Sequence, residues 1–242
     1  MHFGNTIIRL SDTSSTNNYV ASLAKAGKLV SGTVIMAENQ TEGRGQMHRS
    51  WDSERGKNLT FSLFLENVSL SVTNQFILSK IMNLGVIKYL SSVGLEGKIK
   101  WPNDILVNGQ KICGMLIENQ VMGSTIQQSI VGIGLNINQI SFRGFAATSM
   151  KNELGKELDL NKVLDSLLFY LNQAYDYYRA VPDPLTSDYL DVLSGYRTEM
   201  SYEDDQGQFR GIILGIAESG HLRVERRGEI CEYSMGEIRW LG

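Results

Sequence analysis

The sequence is poor in cysteine and histidine, with two cysteines and three histidines among 242 residues. Cys113 and Cys231 lie far apart in apolar, strand-like runs, which favours buried thiols in a reducing compartment over a disulfide. The histidines are scattered, without the spacing of metal ligands. We therefore expect neither a zinc centre nor catalysis by an imidazole base.

Long apolar runs and an excess of basic charge are missing as well. No run approaches the roughly 20 residues that cross a bilayer, and no basic-then-apolar leader opens the chain. We therefore expect a cytoplasmic protein without membrane contact. The formal net charge of −3 disfavours a nucleic-acid partner. Arg223, Arg226 and Arg227 are interspersed with Glu225 and Glu229, as is typical of a solvated face.

The hydrophobic pattern predicts an α+β chain in two parts. Strand-like runs surround helical patterns at about 16–25, 72–93 and 160–178. The pair Asn108-Gly109 between two apolar runs predicts a hairpin. After Pro182 and Pro184 the pattern changes to short strands with glycine turns, which predicts a small antiparallel barrel. We place the domains at 1–185 and 186–242.

A loop of sequence GRGQMHRSW, residues 43–51, carries the densest chemistry of the first part. Its glycines would let backbone N–H groups approach an anion, and Arg44 and Arg49 add charge-assisted donors. Trp51 offers a flat apolar face for a ring. It is not a P-loop, because no Gly-Lys-Ser/Thr closes it. The alternative is a mobile solvent loop with two surface arginines.

The run KWPND, residues 100–104, stands at a strand end. Pro102 withholds a backbone donor and suits a break in the sheet. Such a break would present Lys100, Asn103 and Asp104 together, and a lysine with a carboxylate can clamp phosphates and hold Mg²⁺. The alternative is a Pro-Asn-Asp turn with a neighbouring salt bridge.

Three further segments have weaker patterns. Lys111, in the second arm of the hairpin, could neutralise a carboxylate or an acyl phosphate, or be an exposed strand lysine. The run GIGLN at 132–136 lacks the third glycine of a dinucleotide fingerprint, and its glycines could let another backbone pass closely. Ser15-Thr16-Asn17 with Gln40 could bind a neutral polar ligand head, or the first three could cap a helix.

In this order and spacing, these segments resemble the biotin–protein ligases over about Thr6–Tyr178, and loosely into the C-terminal barrel. The resemblance implies a mixed sheet with helices packed on one side, of the class II synthetase/biotin ligase type, and a small SH3-like barrel. Residues 1–185 would be the catalytic biotin- and ATP-binding domain. In ligases that double as repressors a winged helix-turn-helix precedes this domain, and here we expect a ligase without that module.

The implied activity is ATP-dependent adenylation of biotin to biotinoyl-5′-AMP and its transfer to a lysine of a biotin carboxyl carrier protein or carboxylase subunit. Biotin and ATP would be the substrates, with Mg²⁺. A lipoate or octanoate ligase of the same fold and a non-catalytic biotin-binding protein are the alternatives. A homodimer is left open.

The resemblance also assigns residues. Biotin contacts are expected from Ser15, Thr16, Asn17, Gln40, Gly43, Arg44, Gly45, Gln46, Lys111 and Gly114. ATP contacts are expected from Arg49, Trp51, Lys100, Asn103 and Asn136. The catalytic set would be Arg44, Lys100, Asp104 and Lys111, with Asp104 either binding Mg²⁺ or orienting the incoming lysine. Two residues depart from the family pattern, Gln46 in place of an arginine and His48 in place of Gly or Asn. Residues 43–51 and 139–148, the latter with Phe142 and Phe145, are expected to form a lid.

Overall fold

The computed structural model describes residues 2–142, 144 and 146–241. Seven strands form a mixed sheet in the order β1-β2-β3-β7-β6-β5-β4. The first pair is parallel and the other pairs are antiparallel. The strands are β1 (Ile7–Thr13), β2 (Val34–Gln40), β3 (Leu59–Ser71), β4 (Gly97–Lys100), β5 (Asp104–Val107), β6 (Gln110–Met122) and β7 (Thr125–Leu135).

The predicted hairpin joins β5 to β6. Asn108 and Gly109 have φ angles of 49° and 76°, as a two-residue turn of the primed type requires. The turn matters for the site because it pairs Leu106 with Lys111, and a register shift between Ile105 and Leu106 then brings Asp104 opposite Gly114. This prediction is confirmed.

The described residues form five α-helices: α1 (Thr16–Lys25), α2 (Phe76–Ser92), α3 (Met150–Leu154), α4 (Leu160–Ala180) and α5 (Leu185–Asp191), the last of which leads into the C-terminal part. The long helices α2 and α4 bury one face of the sheet, which confirms the predicted layer of helices. A β-carbon at Gly85 of α2 would lie 2.8 Å from the Leu171 side chain, so glycine permits this close crossing. None of the helices in the described residues is long and apolar enough to span a bilayer.

The short helix α1 lies on the opposite face of the sheet. Its Val20 forms a small buried cluster with Ile35 of β2 and Phe64 of β3. Side chains alternate between the two faces of a strand, so Phe61 and Leu63 of β3 belong instead to the main core beneath α2 and α4. The prediction of helices on one side therefore describes α2 and α4, whereas α1 shares its face with the candidate site.

The C-terminal part is a five-stranded antiparallel sheet in the order β11-β10-β9-β8-β12. Its strands are β8 (Glu199–Asp204), β9 (Gly207–Ile216), β10 (Leu222–Arg226), β11 (Glu229–Tyr233) and β12 (Arg239–Trp240). The indole N–H of Trp101 donates to the Gly220 carbonyl at 3.0 Å, and Ile99 N donates to Val192 O at 2.8 Å. These bonds join the two parts, and the domain boundary at 185/186 stays a prediction.

Candidate active site

Three glycines form a shallow trough on the face of the sheet that α1 shares. Gly114 of β6 and Gly134 of β7 are register partners, and Gly132 lies two residues before Gly134 on β7. A β-carbon at Gly132 would lie 2.4 Å from Asn17 Oδ1, and one at Gly134 would lie 2.4 Å from the Trp51 ring. The missing side chains thus let Asn17 and Trp51 lie directly against the sheet. The sequence pattern allowed a passing backbone here, and the structure places side chains instead.

At one end of the trough, two residues of α1 turn inward. Both Thr16 N and Thr16 Oγ1 donate to Gln40 Oε1, at 2.8 and 3.1 Å. Because the oxygen of the Gln40 amide accepts these bonds, its Nε2 group is directed at Gly43, 3.3 Å from where a β-carbon would stand. The orientation of this amide is therefore fixed by the backbone of α1.

Asn17 is held in the same way. Its Nδ2 donates to Glu118 Oε2 at 2.7 Å and to the Leu116 carbonyl at 3.3 Å, while its Oδ1 accepts from the Ser62 hydroxyl at 2.6 Å. The Ser62 hydroxyl also lies 2.7 Å from Thr16 Oγ1. A hydrogen-bond network through Ser62 therefore connects three of the residues predicted to bind a polar ligand head, Thr16, Asn17 and Gln40.

Helix capping does not explain the polar residues at the start of α1. Ser15 is the N-cap residue, yet its side chain makes no capping hydrogen bond. Ser15, Thr16 and Asn17 are all buried, and the last two point toward the sheet rather than along the helix. A side-chain cap by Ser15 is therefore not seen, and the contacts of these residues with a ligand stay a prediction.

The loop at 43–51 is a small hairpin. Trp51 N donates to Gly43 O at 2.8 Å and Gly45 N donates to Arg49 O at 2.7 Å. A β-carbon at Gly43 would come within 2.3 Å of the Trp51 carbonyl, so this close approach needs glycine. The tip, Gln46–His48, is a 3₁₀ turn in which Met47 is left-handed (φ 52°).

Two contacts attach this hairpin to the rest of the molecule. Arg44 donates to both carboxylate oxygens of Glu118, at 2.9 and 2.7 Å. The Met47 thioether lies against Gly236, in the turn between β11 and β12. The hairpin therefore bridges β6 and the C-terminal sheet. The exposed Arg49 also belongs to it.

Trp51 occupies the middle of the trough. Its ring lies against Gly134 and Gly114, and the Lys111 ammonium is 5.4 Å from its centroid. The indole nitrogen is buried and has no hydrogen-bond partner among the residues that the structure describes. Sequence reasoning gave Trp51 to adenine but Lys111 and Gly114 to biotin. The structure places all three together, so the ring now fills space expected for the ligand.

At the other end of the trough, Lys111 forms an ion pair with Asp104 at 2.6 Å. Lys100 is the cross-strand partner of Asp104, and its ammonium lies 5.7 Å from the Trp240 ring centroid. Beneath this pair, burial raises the pKa of the Cys113 thiol to about 12, which makes it a poor nucleophile. The chemistry available here is charge neutralisation by lysine, not covalent catalysis by cysteine.

The expected Mg²⁺ ligand fits poorly. Asp104 already has a cation at contact distance in Lys111. Within residues 2–142, 144 and 146–241, no group of three or more His, Cys, Asp and Glu side chains could hold a metal ion. We therefore assign no step to a metal bound by this chain.

Two asparagines predicted to contact the nucleotide donate to backbone groups. Asn103 Nδ2 donates to the Met115 carbonyl, and Met115 N returns a bond to Asn103 O at 3.1 Å. Asn136, which is buried, donates to the Thr148 carbonyl at 3.0 Å. In the structure, both side chains hold strand ends and loops through these hydrogen bonds. Their contacts with a nucleotide stay predictions.

Part of the predicted second lid is attached to the site. Lys111 N donates to Ala146 O at 3.0 Å, and Thr148 N donates to Lys111 O at 2.9 Å. Phe142 is half-buried, and Phe145 lies outside the described residues. The end of this segment thus extends the sheet beside Lys111, and its role as a lid stays a prediction.

Sequence reasoning missed two residues of the network, Ser62 and Glu118. Ser62 interrupts the apolar run of β3, on the face opposite Phe61 and Leu63, and that polar interruption was a usable signal. Glu118 carried no local signal, because its partners Asn17 and Arg44 come from distant parts of the chain.

Comparison with known proteins agrees with this geometry. A sequence model described as the biotin/lipoate A/B protein ligase family matches residues 10–136. That range includes every predicted site residue from Ser15 to Asn136. The chain belongs to this family. The glycine trough, the Arg-Trp hairpin and the Lys111–Asp104 pair all lie within the matched range.

Several named relatives of this ligase-family chain align over most of its length. The bifunctional ligase/repressor BirA of Bacillus subtilis is 32% identical over 216 residues, which cover 86% of this chain and 66% of that relative. The biotin–[acetyl-CoA-carboxylase] ligase of Mycobacterium tuberculosis is 28% identical, with 95% of this chain and 86% of the relative covered. The chain thus spans slightly less than two thirds of the Bacillus relative.

Among solved structures, the chain is similar to the biotin protein ligase from Aquifex aeolicus in complex with biotin and ATP. The TM-score is 0.80 at 25% identity, and the match covers 98% of this chain and all of the other. The similarity extends through both parts of the molecule, so the C-terminal sheet belongs to the shared fold.

Proposed function

We propose that this protein is an ATP-dependent biotin–protein ligase. It would adenylate biotin to biotinoyl-5′-AMP and transfer biotin to a lysine of a biotin carboxyl carrier protein or carboxylase subunit. The observation that carries the proposal is the trough itself. A pair of fixed amides, Gln40 and Asn17, stands at one end, and the Lys111–Asp104 pair stands at the other.

The fixed amides match a urea head. Gln40 presents its Nε2 donors, because its oxygen is engaged by Thr16, and Asn17 presents the remaining lone pair of its Oδ1. A cyclic urea offers one carbonyl acceptor flanked by N–H donors, which is the complementary pattern. A saturated fatty acyl or dithiolane tail has no such groups. This polarity favours biotin over lipoate or octanoate, because buried polar groups left unpaired cost binding energy.

The cations match an acid and a phosphate. In the first step, the biotin carboxylate oxygen attacks the α-phosphorus of ATP, and pyrophosphate leaves. Lys111 would neutralise charge at the carboxylate, with Arg49 and Lys100 acting on the phosphates. In the second step, the amine of the carrier lysine attacks the acyl carbon and expels AMP. Positioning and charge stabilisation suffice for both steps.

The hairpin at 43–51 would shield the mixed anhydride. Its arms are joined by backbone hydrogen bonds, and Arg44 and Trp51 hold it over the trough. Water in the site would hydrolyse the intermediate. A hairpin that stays closed over the trough during both steps would exclude that water. The homodimer and the cytoplasmic location expected from the sequence stay predictions.

Pyrophosphate exchange with ATP, measured in parallel with biotin, lipoate and octanoate, tests the proposal. Exchange should depend on biotin, and purified biotin carboxyl carrier protein should then gain biotin. Lys111→Met should lower exchange by about 100-fold, whereas Lys162→Met, which changes an exposed lysine of α4 on the other side of the sheet, should not. Exchange with lipoate or octanoate alone would favour the rival ligase. Biotin binding without exchange would favour a non-catalytic biotin-binding protein.

A further inference from the structure

We propose that Glu118 is a positioning residue for biotin recognition, an inference that rests on the proposed function. The carboxylate receives three hydrogen bonds from two segments that come together over the trough. One is from the Asn17 amide at 2.7 Å, and two are from Arg44 at 2.9 and 2.7 Å. Asn17 is buried at the start of α1, and Arg44 belongs to the hairpin.

The first consequence concerns the direction of the Asn17 amide. With the carboxylate at Nδ2, a flipped amide would place Oδ1 against a negative charge, which is unfavourable. Glu118, with the more distant Leu116 carbonyl at 3.3 Å, therefore keeps Nδ2 on the β6 side and Oδ1 beside Ser62, where the free lone pair can accept from a urea N–H. Ser62 alone cannot fix this direction, because a hydroxyl can donate or accept.

The second consequence concerns the hairpin. Arg44 reaches from the hairpin to β6 and contacts both oxygens of Glu118. An exposed ion pair contributes little to stability by itself, and here the side chains of Arg44 and Glu118 are 40% and 39% exposed. The pair matters through geometry, since it seats the hairpin on the same strand that carries Lys111 and Gly114.

The Glu118 carboxylate thus fixes both the direction of the Asn17 acceptor for the ligand head and the position of the hairpin at 43–51. Neither job requires Glu118 to touch the ligand. A neutral glutamine of the same shape weakens both contacts, because the oxygen that accepts from Asn17 and Arg44 loses its negative charge and an N–H₂ group replaces Oε1, the second acceptor for Arg44.

The test compares Glu118→Gln with wild type by pyrophosphate exchange and by calorimetric titration with biotin in the absence of ATP. We expect KM and Kd for biotin to rise about tenfold, in line with loss of a charge-assisted hydrogen bond, with kcat and KM for ATP changed less than threefold. Glu118→Asp, which keeps the charge, should recover part of the loss. The matched control is Glu199→Gln, which breaks an exposed Glu–Arg pair with Arg210 in the C-terminal sheet and should leave both constants unchanged.

Arg44→Met removes the contact that holds the hairpin on Glu118, together with any direct contact of Arg44 with biotin. The double variant with Glu118→Gln should bind biotin more weakly than Arg44→Met alone, because the Asn17 amide also loses its charged acceptor. Unchanged biotin constants in Glu118→Gln, or a double variant that binds biotin as well as Arg44→Met, would overturn the inference. A wild-type protein that shows no biotin-dependent exchange would instead refute the proposed function, so the two failures are distinguishable.

Discussion

Trp51 lies so close to Gly134 that a β-carbon there would come within 2.4 Å of the indole ring. The ring nitrogen is buried, and none of the described residues accepts a hydrogen bond from it; an unmade hydrogen bond of this kind costs about 1–3 kcal/mol. The ring is therefore held on the sheet by packing against the glycines and by the nearby Lys111 ammonium. Its N–H group can reach a hydrogen-bond acceptor only if the ring moves. This pairing leads to the first two predictions.

Gly134→Ala should displace the ring and narrow the trough. We expect a loss of about 1–3 kcal/mol in the free energy of unfolding, as overpacking costs, and at least a tenfold fall in kcat/KM for biotin. Urea denaturation and pyrophosphate exchange measure the two effects. Adding Trp51→Leu to the Gly134→Ala variant should restore most of the stability. If the double variant is no more stable than Gly134→Ala, the steric explanation is wrong.

Biotin binding should change the fluorescence of Trp51, because the ring occupies space between Gly114 and Lys111 that the ligand needs. The other two tryptophans are Trp101, which is bonded to Gly220, and Trp240 of β12. The wild-type emission should shift on titration with biotin, and the Trp51→Phe variant should show almost no shift. A full shift retained in Trp51→Phe would show that the ring does not respond to the ligand.

Gln46→Arg should slow the release of biotinoyl-5′-AMP. Gln46 stands in the tip of the hairpin, where the family often has an arginine, so the variant adds a cation beside the anionic intermediate. Release can be followed by filter binding of the radiolabelled adenylate in the absence of carrier protein. Gln206→Arg, in the turn between β8 and β9, adds the same charge away from the hairpin and serves as control. Equal release rates in the Gln46→Arg variant and the parent would refute the idea.

Lys80 should lower the free energy of unfolding by an amount that depends on pH. Burial in α2 lowers the pKa of its ammonium, although Glu218 partly opposes this, and the group bonds to Thr186 Oγ1 at 3.1 Å. Between the lowered pKa of Lys80 and the ordinary lysine pKa, the unfolded state keeps this proton while the folded state has lost it. The free energy of unfolding therefore increases as pH rises through that window. Below it, the cost of burying the charge is fully present.

Lys80→Met removes that cost, and we expect the free energy of unfolding at pH 7 to rise by about 1 kcal/mol. The advantage over wild type should shrink as pH approaches the ordinary lysine pKa. Urea titrations at pH 7 and pH 10 measure it. Lys162→Met changes an exposed lysine of α4 and should give no comparable gain. A Lys80→Met variant less stable than wild type at pH 7 would contradict the prediction.

The sequence predicted the parts of this site whose signals are local. The Asn108-Gly109 turn, the helices and the strands around Lys111 depend on neighbours in the chain, and the structure has them close to where they were expected. In the C-terminal part, β8 was missed because Glu199–Asp204 is mostly polar, and β12 because it has only two residues. Such strands are defined by their partners rather than by their own pattern.

The contacts that define the site join residues that are far apart in the sequence. The roles of Ser62 and Glu118 depend on β3, β7 and β6 being adjacent in that order, which no periodicity reveals. The position of Trp51 depends on the missing side chains of Gly114 and Gly134, which lie on two strands and become neighbours only in the sheet. The same glycines looked like weak evidence when each motif was considered alone.

The contact of Met47 with Gly236 has a mechanical consequence. The tip of the hairpin rests on a turn of the C-terminal sheet, while its base rests on β6. The hairpin that carries Trp51 is therefore supported at both its base and its tip. Through the turn at Gly236, the last strands of the chain contribute to the position of a candidate site that other segments build.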